Sequence, residues 1–117
     1  GVTALTLDMS GAGAATFNND VTAFSDKRLK TDIKNIDDAL SKVMKMQGVY
    51  YKRNDIQDAK EQVGVLAQDM EEILPQVVIT ADDDIKTKSV DYGKLTSVLI
   101  ESIKQLKTEI DELKNRS

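Results

Sequence analysis

The residues whose types and spacing could support covalent chemistry are a serine and a lysine five positions apart, Ser25 and Lys30. A serine hydroxyl is a poor nucleophile unless a neighbouring base accepts its proton. The chain has no histidine and no cysteine, which excludes Ser-His-Asp and Cys-His catalysis and His-ligated zinc. The base would therefore be a lysine or a carboxylate. Most serine–lysine pairs are ordinary surface residues, so the spacing alone leaves both interpretations open.

The composition restricts the classes of protein to which the chain can belong. Its 117 residues suffice for one modest domain, and the 40% of hydrophobic residues include only two Phe and three Tyr, so the core must be mainly aliphatic. The net charge of −4, with basic and acidic residues interleaved, argues against nucleic acid as a partner. No apolar run approaches the roughly 20 residues that span a bilayer, and no signal peptide is visible, so no membrane partner is expected.

The acidic run Asp82–Asp84 is the one stretch that suggests a cation. It lacks the alternating ligands, central glycine and closing glutamate of a helix-loop-helix calcium site. We therefore expect a solvated hairpin tip there, and we expect neither a metal nor a cofactor.

The chain changes character at Ser25. Residues 1–24 are rich in Gly, Ala and Thr and contain no Lys or Arg. Their short β-like pieces predict the end of a fibrous β-structure that pairs with other chains, with a floppy arm as the alternative. These pieces contain Val2, Leu5, Leu7, Phe17, Val21 and Phe24.

Residues 25–117 predict one α+β domain. Ile36, Leu40 and Val43 recur at helical spacing, which indicates a helix over 35–47 that Asn35 can cap. A second short helix should end at Pro75, the only proline. The remaining apolar runs predict a small antiparallel sheet. The expected strands are 49–53, 63–67, 77–79 and 85–90, the second helix is 68–74, and 91–115 forms a long last helix.

The last helix carries an apolar stripe with the spacing of a coiled coil. Its members are spaced four, three, four and three residues apart, with Ile at the a positions and Leu at the d positions. This choice of residues favours two strands in model peptides. The alternative is an amphipathic helix that packs on its own domain. The stripe consists of Leu99, Ile103, Leu106, Ile110 and Leu113.

Four stretches resemble the endosialidase-type intramolecular chaperones, the C-terminal autoproteolytic domains of bacteriophage tail fibres, tailspikes and neck appendages. The first is Ser25-Asp26-Lys27-Arg28-Leu29-Lys30 followed by Asp32-Ile33, which resembles the family signature. The others are the Gly-apolar-apolar-Ala-Gln segment with its short helix and proline, the entry into the last helix, and that helix itself. They lie at 63–75, 90–95 and 99–106, and the first 24 residues resemble the end of a fibre stalk.

The resemblance implies a definite function. The domain would assist folding of the upstream fibre or spike of the same polypeptide into a homotrimer, and the last helices of the three chains would form a coiled-coil-like bundle. Self-cleavage at Ser25, with Lys30 as the catalytic lysine, would then release it. The protein would be a virion precursor made in the cytoplasm of the bacterial host, and the single-turnover reaction would need no cofactor.

The family's trimer also suggests how cleavage is timed. A lysine acts as a base only when burial or nearby positive charge lowers its pKa well below about 10.4. Lys27 and Arg28 stand close to Lys30, and trimer contacts would add burial and charge. We hypothesise that Lys30 stays protonated, and so inactive, until assembly desolvates it. Efficient cleavage by a folded monomer would refute this.

Ring size favours one of the two bonds beside the serine. Attack of the Ser25 hydroxyl on the carbonyl of Phe24 passes through a five-membered ring, whereas attack on its own carbonyl needs a strained four-membered ring. Cleavage at Phe24–Ser25 is therefore favoured, and a serine from another chain leaves Ser25–Asp26 as the alternative.

Two further residues of the signature are candidates for supporting roles. Asp26 either orients Lys30 or caps a turn, and capping is the simpler expectation. Arg28 either positions the strand or pairs with Asp32, and pairing is again the simpler one.

Three other functions compete with a self-cleaving chaperone. The first is a non-cleaving trimerisation cap of the same fold, and the second is the cleavage-activated transcription-factor version of this domain in animals. The stalk-like N-terminus and the lack of a basic or membrane segment count against the second. The third, an unrelated receptor-binding domain, would need an exposed aromatic patch, for which five aromatic residues leave little material.

Overall fold

The computed structural model describes residues 14–116. Contacts divide the chain into two units. The first comprises the segment that ends at Ile33 together with Lys52–Lys60, and the second comprises Lys34–Tyr51 together with the segment that begins at Glu61. Within the described range, no helix is long and apolar enough to cross a membrane.

The second unit contains the regular secondary structure. Its helices and strands alternate, and two 3-10 turns, Pro75–Val77 and Tyr92–Lys94, precede β3 and the last helix. In chain order the elements are α1 (Ala39–Lys45), β1 (Val49–Tyr51), β2 (Gln62–Gly64), α2 (Ala67–Ile73), β3 (Val78–Thr80), β4 (Lys88–Val90) and α3 (Leu95–Asn115).

The four strands pair as two separate antiparallel hairpins. Val49 lies opposite Gly64 in the β1–β2 hairpin, and Val78 lies opposite Val90 in the β3–β4 hairpin. The predicted α+β class is confirmed, but the prediction of one sheet from all four strands is wrong. Each strand is three residues long, and two of the predicted ranges extend into other elements: Ala67 begins α2, and Val77 ends a 3-10 turn.

Helix α1 begins four residues later than the sequence pattern predicts. Its N-cap is Asp38, which has a left-handed backbone (φ 50°) and makes no side-chain capping bond, so the prediction that Asn35 caps the helix is wrong. The Oε1 atom of Gln105 on α3 accepts a hydrogen bond from the Leu40 backbone N–H at 2.9 Å. A distant side chain thus satisfies an amide of the first turn that a local cap would otherwise satisfy.

The core lies where α1 packs against α3. Ala39 and Val98 are fully buried, and Ser102, one turn after Val98, is also buried. The Ser102 hydroxyl donates to the Val98 carbonyl at 2.7 Å, so this buried polar group is paired within its own helix. Met70 of α2 and Val77 complete the set of buried apolar residues in the described chain.

The entry to α3 is fixed to the β1–β2 hairpin by a tyrosine. The Val65 backbone N–H donates to the Tyr92 hydroxyl at 3.1 Å. A Cβ atom on Gly64 would lie 2.5 Å from that hydroxyl and 3.2 Å from the Tyr51 ring, so any side chain at this strand position would force the tyrosine side chains to shift. This close approach explains a glycine in a strand.

The first unit contains one short 3-10 turn, Lys27–Leu29, in its described part. Residues 14–26 form neither helix nor strand, so the β-like pieces predicted at Phe17 and Val21 are not strands in this chain. A strand needs a partner, and the described chain supplies none to this segment. The predicted pieces at Val2, Leu5 and Leu7 lie outside the described residues.

Candidate functional site

The signature segment forms a capped 3-10 turn. The Asp26 Oδ1 atom accepts a hydrogen bond from the Arg28 backbone N–H at 2.9 Å. The Leu29 N–H donates to the Asp26 carbonyl at 3.0 Å, and the Lys30 N–H donates to the Lys27 carbonyl at 3.1 Å. Asp26 therefore caps the turn, and the chain leaves it at Lys30 in an extended conformation.

This turn brings the predicted dyad together. The Lys30 Nζ atom lies 2.7 Å from the Ser25 Oγ atom and donates a hydrogen bond to it. The distance is within the range over which a general base can abstract a proton. A lysine acts in this way only as the neutral amine, which accepts the hydroxyl proton instead of donating one. The geometry of a serine–lysine pair is therefore present in one chain.

Arg28 folds back onto Asp26 within the turn. Its Nη2 atom donates to Asp26 Oδ2 at 2.7 Å, and its Nε atom donates to Oδ1 at 3.1 Å. The Arg28 guanidinium holds the pKa of the Asp26 carboxyl below its usual range, and the same bond raises the pKa of Arg28. The expected pairing of Arg28 with Asp32 is not formed, because Asp26 is nearer in sequence and faces both the backbone and the side chain of Arg28.

The site is open to solvent in the single chain. Every residue from 14 to 35 is exposed, and the side chain of Phe24, which precedes the candidate serine, is 94% exposed. No packing within the described chain therefore desolvates the Lys30 amine or holds the Phe24 carbonyl against the Ser25 hydroxyl.

The predicted coiled-coil stripe on α3 is also exposed, whereas another face of the helix is used within the chain. Val98 and Ser102 face α1 and are buried, and Gln105 bonds to the start of α1. The stripe residues retain between 41% and 67% of their exposure. Helix α3 therefore packs on its own domain with one face and exposes the apolar stripe on another face. The exposed stripe consists of Leu99, Ile103, Leu106, Ile110 and Leu113.

The acidic run forms the tip of the β3–β4 hairpin. Asp83 accepts hydrogen bonds from the Thr87 backbone and hydroxyl, which lower the pKa of Asp83, and Asp82 forms an ion pair with Lys86. Two of the three carboxylates thus serve the turn. No cluster of three metal-ligating side chains occurs between residues 14 and 116.

Three contacts that shape the molecule were not predicted from the sequence. The Gln105 cap and the Tyr92 hydroxyl join positions far apart in the chain, and no local pattern marks them. The Asp26–Arg28 pair has a readable signal, since an Asp two residues before an Arg can accept from both its backbone and its side chain.

Comparison with known proteins agrees with the resemblance found in the sequence. Residues 25–79 match the model of the family described as chaperone of endosialidase. The chain is 35% identical over 102 residues to the long tail fiber protein Gp37 of Enterobacteria phage M1. This alignment covers 82% of this chain and 41% of that protein. It is also 31% identical over 97 residues to the protein of the same name from Enterobacteria phage K3, and 29% identical over 111 residues to the one from Salmonella phage S16.

These matches cover most of this chain but only a small part of the relatives from phages K3 and S16. The phage K3 match covers 79% of this chain and 8% of the relative, and the phage S16 match covers 89% and 15%. The chain thus spans less than half the length of these relatives. The family match supports a chaperone role, and its 25–79 range includes Ser25, Lys30 and both hairpin strands β1 and β2. The family match and the tail fibre relatives together support a phage tail fibre intramolecular chaperone domain that includes residues 25–79.

Proposed function

We propose that this chain is the C-terminal intramolecular chaperone of a phage tail fibre or spike and that it releases itself by cleavage at Ser25. It drives folding and trimerisation of the fibre that precedes it, as part of a virion precursor. The observation that carries the proposal is the 2.7 Å distance between Lys30 Nζ and Ser25 Oγ. The family match, whose model is also named as a peptidase, and the tail fibre relatives support it.

The residues of the turn supply the chemistry. Neutral Lys30 takes the hydroxyl proton of Ser25, and the Oγ atom attacks the carbonyl carbon of Phe24 to form a tetrahedral intermediate. The C–N bond between Phe24 and Ser25 breaks as Lys30 returns the proton to the departing nitrogen. The resulting ester is hydrolysed by water, which leaves a carboxylate on Phe24 and restores the hydroxyl of Ser25 at a new N-terminus. Cleavage of Ser25–Asp26 by another subunit's serine is the alternative route.

The exposed α3 stripe provides the trimer contact in this proposal. Its five residues lie along one face of a helix whose other face is already occupied by α1, so a second copy can pack there without disturbing the core. Two heptads are too short to hold chains together alone, and the stripe acts with the contacts of the joined fibre.

Exposure of the site explains why cleavage would wait for assembly. In a single chain the Lys30 side chain is exposed to water. Assembly removes that water, favours the neutral amine and orders the segment that contains Phe24. In this proposal, cleavage therefore occurs only after the trimer has formed.

The same exposure favours one competing function, a trimerisation cap that does not cut. If assembly leaves the dyad in water, Lys30 keeps its proton and the domain acts as a chaperone alone. The two functions share a fold and a partner and differ only in the chemistry at Ser25.

The deciding experiment is intact mass spectrometry of the chain expressed with a longer piece of upstream fibre. We expect two fragments divided beside Ser25 for wild type, and one whole trimeric chain for Ser25→Ala and for Lys30→Ala. Lys45→Ala is the matched control and should cleave like wild type, because this exposed lysine lies on α1, outside the signature turn. A trimeric wild type that stays whole would leave the non-cleaving cap as the function.

A second experiment tests the timing. In an Ile103→Glu/Ile110→Glu variant the charges fall on the exposed stripe, so we expect a folded monomer that no longer cleaves. The control is Lys104→Glu/Lys107→Glu, which changes flanking positions of the same helix. Rapid cleavage by the folded monomer would show that assembly is not required.

A further inference from the structure

The segment between the serine and the lysine has no hydrophobic support. None of its residues is buried, and Leu29 is 72% exposed. A 3-10 turn of three residues is marginal by itself, because its hydrogen bonds are poorly aligned and compete with water. The 2.7 Å contact between Lys30 and Ser25 must therefore be maintained by polar interactions within the turn.

Asp26 makes most of these interactions. Its carboxylate accepts from the Arg28 backbone N–H and from two nitrogens of the Arg28 side chain, and its carbonyl accepts from the Leu29 N–H. The Arg28 guanidinium contacts both carboxylate oxygens, so the ion pair fixes the orientation of the carboxylate as well as its charge. The Asp26 carboxylate thus bonds to both the backbone and the side chain of Arg28.

We infer that Asp26 and Arg28 are positioning residues for self-cleavage: their clamp holds the turn that places Lys30 on Ser25. The inference rests on the proposed function. Neither residue touches the bond that breaks. Their effect passes through the distance between Nζ and Oγ, which the turn sets.

The clamp has a matched counterpart elsewhere in the first unit. Arg53 and Asp55 are also two residues apart and exposed, and the Arg53 Nε atom donates to Asp55 Oδ1 at 2.8 Å. This pair has the same chemistry but lies in the β1–β2 connection, not between Ser25 and Lys30. A substitution in this pair therefore shows the effect of losing a surface ion pair while the Asp26–Arg28 clamp stays intact.

The experiment measures the rate of self-cleavage in the full chain with its upstream fibre, at equal amounts of folded trimer. We expect Asp26→Ala to slow cleavage about 10- to 100-fold, since small misplacements of reacting groups have effects of this order. Asp26→Asn should recover part of the rate, because its amide oxygen still accepts from the Arg28 N–H. Asp55→Ala should cleave at the wild-type rate.

The outcomes separate this inference from the proposed function. Suppose that wild type cleaves and Ser25→Ala does not. If the cleavage rate of trimeric Asp26→Ala is then within about twofold of the wild-type rate, only the positioning inference is overturned. It is also overturned if Asp26→Ala lowers the yield of trimer but not the rate per trimer, or if Asp26→Asn is no faster than Asp26→Ala. If wild type itself does not cleave, both fail together.

Discussion

The Ser25–Lys30 segment and the α1–α3 helix pair hold their geometry by different forces. In the first, every residue is exposed, and hydrogen bonds and one ion pair define a turn. In the second, Ala39 and Val98 are excluded from water, and a hydrogen bond that the Leu40 N–H donates to Gln105 joins the helices.

The difference matters because exposed polar contacts are weak individually, whereas burial contributes in proportion to apolar area. The helix pair can therefore be stable in one chain. We expect the turn to open more easily than the helix pair, which would suit the proposed cleavage that waits for assembly. Four predictions test this contrast, beginning with the largest effect.

The first prediction removes buried volume from the second unit. Met70 is 1% exposed, so Met70→Ala should lower the free energy of unfolding by about 2–5 kcal/mol through lost burial and a cavity. Thermal unfolding followed by circular dichroism measures it. Met44 is 75% exposed and provides the control, since Met44→Ala should change stability by less than about 0.5 kcal/mol. Equal effects at the two positions would mean that burial does not stabilise this unit.

The second prediction concerns the contact between Gly64 and Tyr92. Gly64→Ala should destabilise by about 1–3 kcal/mol, because its Cβ atom would overlap the Tyr92 hydroxyl. Tyr92→Phe removes that hydroxyl, and it also removes the bond from Val65, at a cost of about 1 kcal/mol.

The double variant sharpens this second prediction. Gly64→Ala/Tyr92→Phe should be less destabilised than the sum of the two single variants, because Phe leaves room for the new methyl. Chemical denaturation measures all three free energies. Strict additivity would contradict the proposed overlap.

The third prediction tests the capping of α1 by a distant residue. Gln105→Leu should destabilise by about 1 kcal/mol, since the Leu40 N–H loses its acceptor. Gln105→Glu should stay near wild type, because its carboxylate accepts the same bond and suits the positive end of the helix dipole. Amide hydrogen exchange at Leu40 provides the local measurement. Unchanged protection in Gln105→Leu would contradict the cap.

The fourth and smallest effect is a pH dependence of the turn. The guanidinium of Arg28 lowers the pKa of Asp26 in the folded chain below the ordinary value of 3.8. A lowered pKa means that the clamp contributes fully above that value and is lost as the pH falls through the folded-state pKa. The NMR shift of the Arg28 side-chain N–H should therefore titrate below pH 3.8. In Arg28→Ala, the Asp26 carboxyl should titrate closer to 3.8, and an unchanged midpoint would show that Arg28 is not the cause.

Much of the second unit was predictable from local pattern. The helix before Pro75 appears at Ala67–Ile73 and the last helix at Leu95–Asn115, close to their predicted ranges, because apolar periodicity and proline act over a few residues. All four predicted strands overlap the observed ones, but three of them were predicted too long and the strand at 77–79 was predicted one residue early. Apolar runs do not distinguish a strand from the turn or helix that follows it.

The sequence by itself determined the elements whose causes are local. These include the spacing that lets Lys30 reach Ser25, the apolar stripe along α3 and the polar hairpin tip at Asp82–Asp84. The tertiary structure decided which partner each group meets. It gave α1 a cap from Gln105, 65 positions away from Leu40. It also separated the strands into two hairpins and placed the Tyr92 hydroxyl against the glycine of β2. The physical reason is that a hydrogen bond or close contact between distant residues depends on how the elements pack, and no short-range pattern encodes it.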